Sequence, residues 1–397
     1  MEQIIFHIDV NAAFLSWTAV ELMNNGEETD LREIPSIIGG NQETRHGVVL
    51  AKSTPAKKYG IRTGEPVVNA IRKCPNLRME KPNHKLYQKR SDALMEYLHT
   101  YTPDIEQTSV DECFMDFTGI ANRYSSPVEA ATKIKNSIYE KFGFTVNIGI
   151  SSNKLLAKMA SDFEKPNRIH TLFPTEISKK MWPLPVGELY MAGKASVETL
   201  RKLEILTVGD LANANLDILK LHLKNHGKTL WNFANGVGET RLNAHITENR
   251  GIGNSTTMAE DVTSVESAKE VLRRLSEKVA NRLRMERQKA NMVSVEVKYF
   301  DFQSVSHQKQ FVRATQTGKA IYQATCELFE EVWDGRPVRL LGVRTAKLVD
   351  EGEPQQMSLA DFEKGNKIEE KHEKLERALD EIKERYGRDS VKRATLL

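Results

Sequence analysis

Hydrophobic positions change their period several times along the chain, and each change marks an element. Residues 4–10, Ile-Ile-Phe-His-Ile-Asp-Val, form an apolar run of strand length with Asp9 near its C-terminal end. Over Asn11 to Met23, Phe14, Trp17 and Val20 fall three apart and Leu15 and Leu22 seven apart, the spacing of a helix. Residues 31–79 break into short segments rich in Gly, Pro and basic residues, which predicts a small α/β subdomain inserted after the first strand. His84 to Tyr101 has the period of an amphipathic helix. Asp104 to Thr108 and Cys113 to Phe117 alternate as two strands around a tight turn, Ser109-Val110-Asp111-Glu112. Pro127 to Phe142 predicts a helix and Thr145 to Ile150 a strand, and Ser151-Ser152-Asn153 offers N-caps for a helix running to about Phe163. With the insert removed, the order is β-α-β-β-α-β, the ferredoxin-like arrangement, in which the first strand and the central hairpin are neighbours.

Lys165-Pro166-Asn167 closes that segment, and a Pro-punctuated crossing from Thr171 leads to helical residues 186–238. There Met191-Ala192-Gly193-Lys194 and then Leu203 to Leu211 predict helix, glycine turn, helix. Two readings stand: a helix-hairpin-helix whose turn at Gly193 and Lys194 offers N–H groups to a DNA phosphate, or a plain αα-turn. Residues 239–250 are polar and aperiodic, as a linker is, and beyond them the β-α-β-β-α-β order repeats. Ser255 to Val262 is a strand. Thr263 and Glu266, at capping-box spacing, open a helix to about Asn291 that turns Leu272, Leu275, Val279 and Leu283 inward. Met292 to Tyr299 and Gln308 to Thr315 pair as strands, Lys319 to Trp333 is a helix, and Arg339 to Val349 the last strand. The tail holds Gln356-Met357-Ser358-Leu359-Ala360-Asp361-Phe362 and a charged amphipathic helix from about Ile368 to Tyr386.

Length and composition narrow the classes. A chain of 397 residues with 40% hydrophobic and 28% charged content is a folded protein of several domains. No stretch approaches the ~20 apolar residues of a membrane span, so no membrane partner is expected. The start of the chain lacks a basic leader, and Cys74, Cys113 and Cys326 are scattered and odd in number. Both point to a reduced, cytoplasmic protein without a Cys-rich zinc motif. Net charge is only +3, but residues 241–350 carry 18 Lys and Arg against 14 Asp and Glu, a mild pull toward a polyanion. Arg273, Arg274, Lys278, Arg282 and Arg284 crowd one predicted helix there, as a DNA-backbone face or as an ordinary solvated one.

Candidate chemistry centres on the acids. Asp111 and Glu112 repel each other on their turn unless a cation lies between them; a solvated acidic turn is the bland alternative. Asp9 at the end of a buried strand is either part of a site or a helix cap. The ferredoxin-like order brings Asp9 and Asp111 together, with Glu112 beside them. Such hard oxygen donors suit Mg²⁺, and two ions about 4 Å apart would clamp an attacking hydroxyl and a leaving pyrophosphate. Phosphoryl transfer needs that arrangement, because its catalysis is mostly positioning and charge neutralisation.

Four stretches resemble the Y-family DNA polymerases, the low-fidelity class that copies damaged templates, and most of all the bacterial DNA polymerase IV branch. They are His7-Ile8-Asp9-Val10-Asn11-Ala12-Ala13-Phe14, Tyr59-Gly60-Ile61-Arg62-Thr63-Gly64, Ser109-Val110-Asp111-Glu112, and Ser151-Ser152-Asn153-Lys154-Leu155-Leu156-Ala157-Lys158 with Lys165-Pro166-Asn167. The resemblance extends to about residue 350. It implies an α+β multidomain fold: a ferredoxin-like palm at 1–12 and 80–170, fingers at 13–79, and a helical thumb with a helix-hairpin-helix at 171–238. A linker at 239–250, a β-α-β-β-α-β little finger at 251–350 and a tail at 351–397 complete it. The implied activity is template-directed addition of dNTPs to a primer 3′-hydroxyl with two Mg²⁺ ions, in error-prone translesion synthesis, by a monomer bound to primer–template DNA.

By position, Asp9, Asp111 and the main-chain carbonyl of Val10 resemble metal ligands, and Glu112 the third acid. Lys165 sits where the family contacts the triphosphate. Phe14 sits at the steric gate, although its helical spacing with Trp17 also suits a core residue. Thr54 and Lys57 stand where the family usually carries a Tyr and an Arg; Lys keeps the charge but loses the bidentate fork. Gln356, Met357 and Leu359 resemble the peptide with which bacterial polymerases bind a sliding clamp. Two rivals stay open: a nucleotide cyclase, which shares the palm but needs no thumb, and a non-catalytic DNA-binding scaffold, expected to have lost an acid.

Overall fold

β1 (Ile5–Val10) is buried at every residue, and the first half of the molecule is assembled around it. The computed structural model describes residues 3–40, 47–243, 250–353, 366–387 and 390–391. Those up to Asn243 form one compact unit and those from Arg250 a second. From β1 the chain turns through Ala12, at φ 45°, into α1 (Ala13–Asn24). This helix is buried on two sides: Ala13 and Trp17 enter the main core, while Leu15 and Ala19 meet Ile38 and Ala51 of the insert. The insert is a three-stranded sheet, ordered β3-β2-β4, of β2 (Ser36–Gly39), β3 (Val49–Lys52) and β4 (Arg78–Glu80). Two short helices, α2 (Thr54–Lys58) and α3 (Val67–Lys73), close a small second core with it around Ile37, Val49, Ala56, Val67 and Ala70.

After the insert come α4 (His84–His99), β5 (Ile105–Gln107), β6 (Glu112–Asp116), α5 (Pro127–Phe142), β7 (Val146–Ser151), α6 (Lys154–Asp162) and β8 (Ile169–Thr171). The strands lie in the order β5-β6-β1-β7-β8, the ferredoxin-like order with β8 added parallel to β7. α4 and α5 bury Tyr87, Leu94, Leu98, Ile134 and Ile138 against Phe6, Ile8, Val10 and Ile148 on one face. α6 lies on the other, with Ala157 against Ile5 and Phe114. Asn153 caps α6 by accepting the Leu156 N–H at 2.9 Å, the last of the three candidates the sequence offered.

α6 also anchors the helical segment that follows. Leu156 and Met159 share a core with Leu172, Met181, Leu200, Leu211 and Leu230 from α7 (Ile177–Lys180), α8 (Lys194–Lys202), α9 (Val208–Ala212), α10 (Leu216–Ala234) and the chain before them. α10 breaks at Lys224, whose φ of 54° and ψ of −138° are not helical.

The second unit runs β9 (Gly251–Val262), α11 (Val265–Met285), β10 (Gln288–Tyr299), β11 (Ser304–Thr315), α12 (Gly318–Val332) and β12 (Val338–Asp350). The β-α-β-β-α-β order recurs, but the sheet is ordered β11-β10-β12-β9, so β12 pairs with both β10 and β9 and the first strand is at an edge. α11 and α12 pack Leu272, Leu275, Val279, Ile321 and Leu328 on Val293, Val295, Val297 and Val343. Two expected boundaries are corrected. Ser264, not Thr263, caps α11, accepting the Ser267 N–H at 3.2 Å. The helix stops at Met285 rather than near Asn291, because Arg287 at φ 52° reverses the chain and Gln288 to Ala290 pair with Asp350 to Leu348. Those polar residues carry no alternation from which a strand could be read. Beyond β12, α13 (Asn366–Tyr386) packs on this unit. Among the described residues no helix is long and apolar enough to cross a membrane.

Candidate active site

Strand register makes the site. β1 pairs with β6 so that Asp9 lies directly opposite Glu112, which puts the two carboxylates side by side on the face covered by α6. Asp9 is 7% exposed. The Val10 N–H donates to the Asp111 carbonyl at 3.0 Å, tying the acidic turn to the end of β1. The Asp111 carboxylate itself accepts the Ser109 hydroxyl at 2.6 Å. Among the described residues no three His, Cys, Asp or Glu side chains converge as a ligand set; Asp9 and Glu112 meet, and Asp111 joins them through its main chain.

Two lysines meet the acids. Lys165 Nζ donates to Asp9 Oδ2 at 2.9 Å and meets Asp162 Oδ1 at 2.9 Å. Lys158 Nζ donates to Glu112 Oε1 at 2.8 Å and to Asp9 Oδ2 at 3.4 Å. On the other side of Glu112, His7 Nε2 faces Oε2 at 3.7 Å, while His7 Nδ1 and Ser161 Oγ are 2.8 Å apart. Burial pushes the Asp9 carboxyl up to about 6, opposed by Lys165. His7 and then Lys158 hold Glu112 well below the usual carboxylate range, against the effect of burial. Ammonium groups stand among these oxygens, and hard donors that accept cations in this way also fit Mg²⁺.

A buried amide pair positions the lysine loop. Asn11 Nδ2 donates to Asn147 Oδ1 at 3.1 Å, and Asn11 Oδ1 accepts the Asn167 N–H at 2.8 Å. Asn147 Nδ2 donates to the carbonyls of Ser161 at 2.9 Å and Glu164 at 2.7 Å. The ends of β1, β7 and α6 and the segment carrying Lys165 are thereby joined.

Comparison with known proteins agrees with this architecture. A model described as the impB/mucB/samB family matches residues 8–162, and one described as that family's C-terminal domain matches residues 249–359. A DNA polymerase IV of Clostridium acetobutylicum is 45% identical over 397 residues, 100% of this chain and 99% of its own. One from Alkaliphilus oremlandii is 34% identical over 403 residues, 100% of both chains. A solved Y-family DNA polymerase chimera, Dbh-Dpo4(243-245)-Dbh, has the same fold, with a TM-score of 0.75 at 23% identity over 87% of this chain and 99% of that one. The chain belongs to the Y-family DNA polymerases.

In this Y-family chain the remaining expected residues fall at separate places. Phe14 is half-buried and stacked on Tyr87, with centroids 4.3 Å apart and planes within 8°. Thr54 and Lys57 are exposed, one turn apart on α2. Gly193 is the N-cap of α8 and Lys194 its first residue. On α11, Arg274 and Lys278 are exposed, while the Arg273 guanidinium lies 4.7 Å from the Tyr322 ring centroid. The sheet face opposite α11 and α12 has a shallow depression lined by Ser255, Ser294, Ser306, Gly342 and Arg344. Gln356, Met357 and Leu359 lie outside the described residues. His7, Asn11 and Lys158 lie within the stretches that carry the resemblance but, like Asn147 and Ser161, were given no role from sequence. The helical period of α6 marks which of its residues face inward, but not that a lysine among them reaches two acids.

Proposed function

We propose that this polymerase extends a primer 3′-hydroxyl with dNTPs at the Asp9–Glu112 site, by two-metal phosphoryl transfer in translesion synthesis. The observation that carries the reading is the cross-strand register of Asp9 and Glu112, with two ammonium groups among their oxygens. Two Mg²⁺ ions, held by Asp9, Asp111, Glu112 and the Val10 carbonyl, would activate the primer hydroxyl and neutralise charge on the transferring phosphate. Lys165, 37% exposed beside Asp9, receives the triphosphate together with Thr54 and Lys57. Phe14 excludes a ribose 2′-hydroxyl. Gly193, Lys194, Arg273, Arg274 and Lys278 contact the backbone of primer–template DNA, and Gln356, Met357 and Leu359 engage a sliding clamp. The polymerase acts as a cytoplasmic monomer.

Primer extension with labelled dNTPs tests the reading. Asp9→Ala, Asp111→Ala and Glu112→Ala are each expected to lower extension by at least ~100-fold, the scale of removing a group that stabilises charge in the transition state, with DNA binding retained. Near wild-type extension by any of the three removes that residue from the site.

A further inference from the structure

Three carboxylates converge on one ammonium at this site. Lys158 Nζ is 2.8 Å from Glu112 Oε1, 3.4 Å from Asp9 Oδ2 and 3.4 Å from Asp162 Oδ2, and only 13% of its side chain is exposed. Lys165 meets Asp9 and Asp162, so among the described residues Lys158 is the lysine that touches both members of the cross-strand pair. That pair needs a bridging cation. Like charges directly opposed on neighbouring strands are destabilising, and water screens this pair from the Glu112 side only, the Asp9 side chain being 9% exposed against 28% for Glu112.

The helix backbone that carries Lys158 is also fixed against β1. The Ser161 hydroxyl donates to the Lys158 carbonyl at 2.8 Å and meets His7 Nδ1, which joins α6 to β1 next to the acids. α6 lies close on the sheet because Gly149 has no side chain: a Cβ there would be 2.0 Å from the Ala157 carbonyl oxygen. Lys158 is therefore built into the site rather than left as a surface lysine that has folded over it.

We propose that Lys158 is a resident counter-ion of the polymerase, holding Asp9 and Glu112 together in the metal-free protein and competing with divalent cations for the same oxygens. This rests on the reading of Asp9 and Glu112 as metal ligands. Two effects of opposite sign follow. Without the ammonium, the metal-free protein keeps two opposed carboxylates with Lys165, on Asp9 alone, as the remaining lysine beside them, and loses stability. The same carboxylates, with no competitor, take a divalent cation more tightly. A lysine that only packed α6 would lower stability alone, and one that oriented the acids for metal would weaken the binding.

The test uses the full chain without DNA or nucleotide and Mn²⁺ as the probe, with free Mn²⁺ counted by electron paramagnetic resonance. Lys158→Met keeps the length and removes the charge; Lys158→Arg keeps the charge. Lys158→Met is expected to lower the Kd for Mn²⁺ by about tenfold, the scale of one close charge–charge interaction in a partly screened site. Its Tm should fall below wild type in EDTA and recover in saturating Mn²⁺, and Lys158→Arg should follow wild type in both conditions. Equal or weaker Mn²⁺ binding by Lys158→Met, or an unchanged Tm in EDTA, overturns the proposal. Should Lys158→Met not fold in EDTA, Lys158→Gln is compared with wild type in the same titration and is held to the same two outcomes. Asp9→Asn separates the two levels. Wild-type binding that survives Asp9→Asn removes the metal-site reading itself. Binding lost in Asp9→Asn but unshifted in Lys158→Met removes only the role of Lys158.

Discussion

Phe14 lies flat against Tyr87, and the Tyr87 hydroxyl is in turn 3.1 Å from that of Thr18. A ring clamped in this way has no easy rotamer to escape into, so an extra oxygen at its edge meets a fixed obstacle. Packing and sugar discrimination are therefore compatible uses of one side chain, and a single substitution separates them. Phe14→Ala is expected to raise the ratio of ribonucleotide to deoxyribonucleotide incorporation by at least ~10-fold, the equivalent of ~1.4 kcal/mol of lost clash. The lost stack should destabilise the fold by about 1–3 kcal/mol, below the usual cost for a fully buried ring. Competitive insertion assays beside thermal melts report both quantities. A lowered Tm with an unchanged sugar ratio makes Phe14 a packing residue only.

Among the elements, α6 has the most consequences. It covers the acid face of the first sheet, supplies Lys158 and Ser161, and shares its far side with the helical segment at Leu156 and Met159. Its closeness to the sheet depends on Gly149, where a Cβ would be 2.0 Å from the Ala157 oxygen and 2.5 Å from the Ser161 nitrogen. Both are backbone atoms and cannot rotate away, so Gly149→Ala forces the helix off the sheet. The expected loss is about 3 kcal/mol or more, at the upper end of overpacking, together with loss of extension as the helix is pushed off the sheet that carries Asp9 and Glu112. Urea denaturation and primer extension measure the two. Gly119→Ala, where no atom lies within 4 Å of the added methyl, is the control and should change neither.

At the scale of the molecule, α13 is an integral part of the second unit. Glu376, 6% exposed, accepts the Gly318 N–H at 2.9 Å and Arg284 Nη1 at 2.5 Å, and Asp380 takes Arg284 Nε at 2.6 Å. Lys289 meets Glu373 at 3.0 Å, and Arg377 pairs with Glu351. Removing Glu376 leaves the buried Arg284 with Asp380 as its remaining carboxylate and takes away the acceptor of the Gly318 N–H, at about 3 kcal/mol, the lower end of the cost of breaking a buried pair. Glu376→Ala should lower the stability of the second unit by that order in denaturant melts and increase hydrogen exchange along α13. Truncation after Asp350 would strip Arg284 in the same way, so it is a poor test of clamp binding. The triple replacement of Gln356, Met357 and Leu359 by Ala in the full chain is the cleaner one. It should leave single-nucleotide insertion unchanged and abolish stimulation by a clamp on a long primed template, since tethering raises local concentration without touching the chemistry. Equal stimulation of both proteins would exclude those three residues from clamp contact.

What the chain determined by itself is whatever depends on neighbours a few residues away. The α5 boundaries, Pro127 to Phe142, were readable to the residue because a cap, a proline at the first turn and a 3.6-residue period are all local. The acids were readable as a candidate site because Asp9 ends an apolar strand and Asp111 and Glu112 share a turn, and the β-α-β-β-α-β order brings strand and turn together. Tertiary structure alone decided the rest. Chain order does not contain strand order, so the second unit repeats the first in sequence yet places β9 at an edge. Register set Glu112, rather than Asp111, opposite Asp9, since a shift of one residue turns each side chain to the other face. Lys158 is a lysine like its neighbours until α6 settles against Gly149, because a charge acquires its role from partners 46 and 149 residues away in the chain and from the water that folding removes.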